Sequence, residues 1–326
     1  MPEMIIETAN VRAVKNAVRQ TVNKNGMMAV VAKVGSGKTT MFDYLEDYWK
    51  KHPDKFRVVT VKSFDSPNTK IGILMRFLLE SMNPDVHIPR GNERMYKLLA
   101  EELRKYAKKN FKIILMIDEA QDLRNQTFFD IKKIHEITGN GMDHLFSVIF
   151  FGKDSRRWDK LWEGPEIGYR MNVTVLEDLT QEEIVKIAEE KYGIQFESDR
   201  VRKRFCAVLP FKTPLGIKYF SESLKREIGI SVDEPVYINA ELVIKIPTMT
   251  QKMRLRQAGM TQQQFADFCR RVSPNKKYNP QRISEYFNGK YPPEDDPIGR
   301  ELYHLAEQAI ADAYTIRRKK ISGAIS

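Results

Sequence analysis

The run MMAVVAKV (residues 27–34) passes directly into GSGKTT (35–40), and few sequence features restrict a fold more tightly. A short apolar run bounded by a glycine turn reads as a strand buried on both faces, and the residues after the turn open a helix. Strand, turn and helix N-terminus together aim several backbone N–H groups at one anion, and the helix dipole adds to the attraction. Gly35 and Gly37 permit backbone angles and close approaches that a β-carbon would hinder. In such a loop Lys38 reaches β- and γ-phosphates and the Thr39 hydroxyl holds Mg2+, while Val34, Ser36 and Thr40 complete the cradle. The pattern asks for a glycine at position 32, where this chain has Ala32. If that position needs positive φ, alanine costs about 1–2 kcal/mol there.

The second half of the site lies 79 residues past Thr39, in ILMIDEA (114–120). Asp118 and Glu119 fall at the tip of a continuously apolar strand. Two adjacent acids at a strand end can face metal and phosphate together: Asp118 toward Mg2+, Glu119 toward an attacking water that it orients and deprotonates. Between and beyond these motifs, strands at 56–64, 111–118, 145–152 and 171–179 alternate with helical patterns at 8–24, about 68–82, 92–109 and 126–138. Alternation of this kind predicts an α/β fold, a parallel sheet with helices on both faces and its ligand at the carboxyl ends of the strands.

From Thr180 the pattern turns helical. TQEEIVKIAEEKYG opens with a capping box, Thr180 with Glu183, and SDRVRKRFCAVLP and TPLGIKYFSESLKREIG follow. SVDEPVYIN reads as a turn, and NAELVIKI as a short helix ending at Pro247. The expected organisation is a nucleotide-binding core at 1–179, a small helical lid at 180–247 and a basic helical unit at 248–326.

Charge separates the last unit from the rest. The formal net charge is +11, and residues 251–326 alone carry 14 Lys and Arg against 8 Asp and Glu. That excess suggests a polyanion partner. No apolar stretch approaches the ~20 residues needed to span a bilayer, so no membrane partner is expected. Cys206 and Cys269 lack metal-ligand spacing and read as buried free thiols, which fits a reducing cytoplasm. The five histidines show no metal spacing either.

VGSGKTT, then ILMIDEAQDL, then a helical lid resembles the AAA+ ATPases over roughly residues 8–247. Within them the Asp-Glu-Ala-Gln run is similar to the transposition regulators, such as the Mu phage B protein, TnsC, IstB and the ExeA-type ATPases. The resemblance implies ATP as the nucleotide. It also implies a polar sensor after the fourth strand, where this chain has Lys153, and a second sensor in the lid, where it has Lys218 in place of the usual arginine. An arginine finger that reaches a neighbour's γ-phosphate is implied near the fifth strand; Arg170 fits, with Arg156 and Arg157 as competitors. The departures at 32, 153 and 218 point to slow turnover that times assembly.

MRLRQAGMTQQQFADFCRRVSPNKKYNPQRISEYFNGKYPP (253–293) resembles a repressor-type helix-turn-helix. Thr261 caps one helix; a linker longer than usual leads to a second, opened by Pro280 and ended by Gly289. Asn279, Gln281, Arg282 and Ser284 are left for base edges or phosphates, and Lys276, Lys277 and Lys290 for backbone charge. Lys132 and Lys133, on the helix after Asp118 and Glu119, are further candidates. The competing reading is a three-helix unit that binds protein.

These readings give one expected function: an ATP-dependent regulator of DNA transposition, assembling as a homo-oligomer or filament on double-stranded DNA and recruiting a transposase. The alternatives are a replication initiator or helicase loader, and a helix-turn-helix transcriptional regulator with an ATP switch.

Overall fold

In the computed structural model the chain separates into two compact units, Met1–Asp178 and Leu179–Ser326. The described residues are 6–62, 69–153, 171–209, 211–239, 242, 245, 251–252, 254–256, 258–273, 278–288, 290–291, 293 and 296–321. Arg156, Arg157, Arg170, Lys276, Lys277 and Gly289, all singled out above, lie outside them, as do residues 246–250 where a boundary was expected.

The first unit is built on five parallel strands: β1 (Met27–Ala32), β2 (Phe56–Val61), β3 (Lys112–Ile117), β4 (Ser147–Lys153) and β5 (Met171–Leu176). Their order across the sheet is β2-β3-β4-β1-β5. Successive side chains of a strand point to opposite faces, and here each face has its own helices to meet. Met27, Ala29 and Val31 of β1 join Ile113, Leu115 and Ile117 of β3 in one apolar cluster, closed by α3 (Ile71–Met82), α4 (Asn92–Lys108) and α5 (Asn125–His135). Met28, Val30 and Ala32 join Ile114, Met116, Ile149 and Phe151 in the other, closed by α1 (Ala9–Asn23) and α2 (Lys38–Lys50). Burial on both faces is why β1 and the interiors of β3 and β4 are continuously apolar, whereas the edge strands β2 and β5 carry Arg57, Thr60, Asn172 and Thr174.

The helices follow from their own sequence. The Thr8 hydroxyl accepts from the Val11 N–H and caps α1, whose Val14, Val18 and Val22 recur every four residues and are buried. Phe42 of α2 meets Phe151 edge-on, with ring centroids 5.2 Å apart.

In the second unit α6 (Gln181–Tyr192) carries the expected capping box, Thr180 with Glu183. The helix ends at Gly193, whose φ of 60° is easy only for glycine. The expectation of helices alone from Thr180 onward is corrected here. β6 (Ile194–Phe196) and β7 (Val236–Ile238) form a two-stranded parallel sheet, so part of the segment read as a turn is strand. Strands of three residues are too short to show a period, and their pairing partners lie about 40 residues apart. Between them lie α7 (Asp199–Val208) and α8 (Pro214–Glu227).

The C-terminal residues form a separate apolar cluster within this unit. Thr261 and Gln264 make a capping box for α9 (Gln262–Val272). Asn279 caps α10 (Pro280–Phe287), its Oδ1 accepting from the Arg282 N–H at 2.8 Å. Ile283 and Phe287 of α10 pack with Phe265 of α9 and with Leu302 and Ala306 of α11 (Pro297–Ile321). Cys206 and Cys269 are both free and buried.

Candidate nucleotide site

Parallel pairing sets the site before any side chain is considered. β4 lies between β1 and β3, with Ala32 in register with Lys153 and Ile117 with Phe150. The ends of these three strands therefore bring the glycine loop, the Asp118–Glu119 pair and Lys153 to one edge of the sheet.

Ala32 is the last residue of β1 and fully buried. Among the described residues the non-glycine positions with positive φ are Asn25, Asn110, Glu119 and Asn140, so the strain considered for alanine does not arise. The left-handed positions are Gly35, with φ 83°, and Gly37, with φ 89°. Gly37 is also the N-cap of α2 and supplies no side chain, which leaves the first N–H groups of that helix facing out. Ser36 Oγ is buried and has no hydrogen-bond partner. Uncapped donors and an orphaned hydroxyl in one loop suit a phosphate chain. Val34 at the loop tip and Thr39 are exposed.

Lys38 points back across the loop. Its Nζ lies 2.7 Å from Asp118 Oδ1 and 2.8 Å from Glu119 Oε1, with the lysine side chain only 8% exposed. One buried cation thus serves two carboxylates, Asp118 and Glu119. Burial raises the Glu119 carboxyl, but hydrogen bonds from Lys38 and Gln121 and the nearby Lys153 outweigh it and hold the group below its ordinary value. Glu119 also has a left-handed backbone, φ 46°, a conformation that costs a non-glycine residue about 1–2 kcal/mol. It serves as N-cap of a short 3-10 turn, Ala120–Asp122.

Lys153, placed where the resemblance implies a polar sensor, sits with Nζ 3.5 Å from Glu119 Oε2. Ser147 begins β4 and so belongs to the opposite edge of the sheet. Gln121 was not singled out in the sequence. Its Nε2 donates to Glu119 Oε2 at 2.6 Å, and its Oε1 accepts from the Lys153 N–H at 3.0 Å. The Asp-Glu-Ala-Gln run contained it, but only as a mark of kinship.

The other candidates lie elsewhere. Lys218 is on α8 in the second unit. Lys132 and Lys133, on α5, face Glu136 at 4.0 Å and Asp130 at 3.5 Å. On α10 Gln281 is exposed and Arg282 and Ser284 are half-buried. Lys290, exposed, pairs with Glu285 at 2.9 Å. His135 and His144 stack with ring centroids 4.1 Å apart, a packing contact near the start of β4. Among the described residues no His, Cys, Asp and Glu cluster has the makings of a metal centre, and no helix is long and apolar enough to cross a membrane.

A five-stranded parallel sheet with a glycine loop after β1 and paired acids after β3 gives the chain a P-loop AAA+ α/β fold. Residues 20–159 match the family described as AAA domain. Among solved structures the chain is similar to Cdc6p from Pyrobaculum aerophilum, at 12% identity over 96% of this chain and 89% of that one, with a TM-score of 0.50. It is also similar to the Aeropyrum pernix ORC2 protein (13% identity, 96% of both chains, TM-score 0.49). A third is the Thermotoga maritima RuvB Holliday junction branch migration motor (13% identity, 87% and 82%, TM-score 0.45). At these identities the likeness is one of fold. No protein of curated function matches the sequence.

Proposed function

We propose that this chain binds and hydrolyses Mg·ATP, that its ATP state assembles on duplex DNA, and that the assembly regulates DNA transposition. The observation that carries the reading is Lys38 held between Asp118 and Glu119 at the edge of the glycine loop. Lys38 is then already at the place where it would pass from carboxylate to β- and γ-phosphate oxygens. Thr39 and Asp118 would hold Mg2+, which when bound neutralises developing charge on the phosphate oxygens. Glu119 would orient a water and take its proton as the water oxygen bonds the γ-phosphorus and the bond to the bridging oxygen breaks, giving ADP and phosphate. Arg170 from a neighbouring subunit would complete the charge balance, so that hydrolysis depends on assembly. Lys153 and Lys218 are assigned to the nucleotide as well. DNA contact is assigned to Lys132 and Lys133, and to Lys276, Lys277, Gln281, Arg282, Ser284 and Lys290 of the C-terminal helices.

The assignment to transposition rests on the Asp-Glu-Ala-Gln run. A second reading, a replication initiator, is supported by the fold likeness to Cdc6p. Glu119→Gln tests what the two share: saturating ATP should leave it on DNA as long-lived oligomers visible by electron microscopy. Monomeric protein on DNA under those conditions would overturn the assembly. To separate the two, the purified chain is added to a transposase-catalysed strand-transfer assay, where stimulation supports the first reading.

A further inference from the structure

We propose that Gln121 is the positioning residue of this site, setting the carboxylate of Glu119 from a fixed point on β4. The inference rests on the nucleotide reading above and deepens it.

Glu119 is held at both oxygens, by different means. Oε1 faces Lys38 at 2.8 Å. Oε2 receives the Gln121 amide at 2.6 Å and faces the Lys153 ammonium at 3.5 Å. The hold on Oε1 cannot last through turnover, because the same lysine is needed at the phosphates. Once Lys38 turns away, the direction of the carboxylate depends on what holds Oε2.

Of those two groups only Gln121 is itself anchored. Lys153 offers a side chain 49% exposed at the end of a flexible stem, and an ion pair of that kind holds geometry weakly. The Gln121 amide is tied at its other end to a backbone N–H of β4, at 3.0 Å. There the strand is paired with β1, Lys153 lying in register with Ala32, while its pairing with β3 ends at Phe150. The orientation of the amide is also forced. A carboxylate accepts only and a backbone N–H donates only, so the NH2 must face Glu119 and the carbonyl must face Lys153. Few side chains can do both at this reach. Glutamate would repel Glu119, methionine would fill the volume with neither contact, and asparagine is one methylene short.

The backbone makes the need concrete. Glu119 is a left-handed residue between the end of β3 and the 3-10 turn, so no regular element fixes its side chain. Gln121 lies two residues on, in that same turn, and closes it onto the next strand. A general base displaced by about 1 Å can cost on the order of 100-fold in rate.

The test uses the full chain and four variants: Gln121→Met, Gln121→Asn, Glu119→Gln and the double variant Glu119→Gln/Gln121→Met. Affinity for the Mg-bound β,γ-imido analogue of ATP is measured by calorimetry, and single-turnover ATP hydrolysis separately. Gln121→Met and Gln121→Asn are expected to bind the analogue within about 3-fold of the unsubstituted chain while hydrolysis falls roughly 10- to 100-fold. In the Glu119→Gln background Gln121→Met should cause no further loss, since the two act as one unit. In the nucleotide-free protein the Lys153 amide should exchange hydrogen at least about 10-fold faster in Gln121→Met.

Hydrolysis by Gln121→Met within about 2-fold of the unsubstituted chain, with binding intact, would overturn the proposal alone. Weakened analogue binding with a lower melting temperature in both backgrounds would also overturn it, since Gln121 would then be structural. If the unsubstituted chain takes up no analogue, the nucleotide reading falls and this proposal with it.

Discussion

Lys38 Nζ lies 2.7 Å from Asp118 Oδ1, a contact that spans 80 residues of chain. It joins the first residue of α2 to the residue that follows β3, two strands away across the sheet. The two motifs read from the sequence as halves of one site thus meet. Their meeting has a stability consequence as well as a chemical one, because all three charged side chains of the cluster are at most 19% exposed.

Removing the lysine should destabilise the nucleotide-free protein, whereas neutralising one acid should not. Lys38→Met takes the buried cation from Asp118 and leaves Glu119 only Lys153 and Gln121, a loss of about 3 kcal/mol for breaking a buried ion pair. Glu119→Gln leaves a balanced pair, Lys38 with Asp118, and is expected within about 1 kcal/mol of the unsubstituted chain. Urea unfolding of both variants without nucleotide checks the contrast; equal effects would mean the cluster is not stabilising.

Acid should weaken the first unit in a window set by depressed carboxyls. Glu119 sits below its ordinary value of 4.5 because Lys38, Gln121 and Lys153 outweigh its burial. Glu46 does so because Lys50, Thr60 and Lys62 outweigh the same effect. A carboxyl depressed in the folded state gives stability that is present above 4.5 and is lost as the pH falls through the folded value. Thermal midpoints measured without nucleotide should hold steady down to about pH 5 and then fall. In Glu119→Gln the fall should be shallower.

In the second unit Gly216→Ala should be destabilising although alanine is the better helix former. A β-carbon at Gly216 would lie 2.4 Å from the Phe211 carbonyl oxygen and 2.8 Å from the Phe211 β-carbon. Alanine in a helix gains about 1 kcal/mol over glycine. Forcing an atom against packed backbone costs about 1–3 kcal/mol. Thr213 also caps α8 through the Gly216 N–H, so the first turn has little room to shift. A net loss of up to about 2 kcal/mol is expected in thermal unfolding; a gain would show that the turn before α8 yields.

If the C-terminal helices hold DNA, Lys290→Ala and Gln281→Ala should act differently. The pair between Lys290 and Glu285 is exposed and worth little, which leaves the lysine available to a phosphate. Lys290→Ala should weaken binding to all duplexes and lower the salt slope by about one contact. Gln281→Ala should change sequence preference with little effect on the slope. Fluorescence anisotropy on two duplexes at several salt concentrations separates them; no effect from either would assign these helices to a protein partner.

The centre of the sheet was legible in the chain because a strand covered on both faces must be apolar, as β1, β3 and β4 nearly are, and the glycine loop and paired acids marked two strand ends. Two helix starts were legible for local reasons, since Thr180 and Thr261 each cap the helix that follows; Asn279, read as free for base edges or phosphates, instead spends its Oδ1 on capping α10. The glycine deficit at Ala32 raised a question of strain that composition could not answer. The backbone answered it, since Ala32 ends β1 and takes no positive φ.

What stayed hidden depends on residues far apart in the chain. β6 and β7 are three residues each, too short for a period, and become strands only by pairing with one another. Gln121 looked like one polar residue in an acidic turn until β4 came alongside and gave its carbonyl a backbone N–H to hold. The sequence by itself determined which chemical groups this protein has and which local elements carry them, because capping, periodicity and glycine turns act over a few residues. The tertiary structure alone decided that Lys38, Asp118, Glu119, Gln121 and Lys153 share one place, because parallel pairing of β1, β4 and β3 sets distances that no short-range pattern contains.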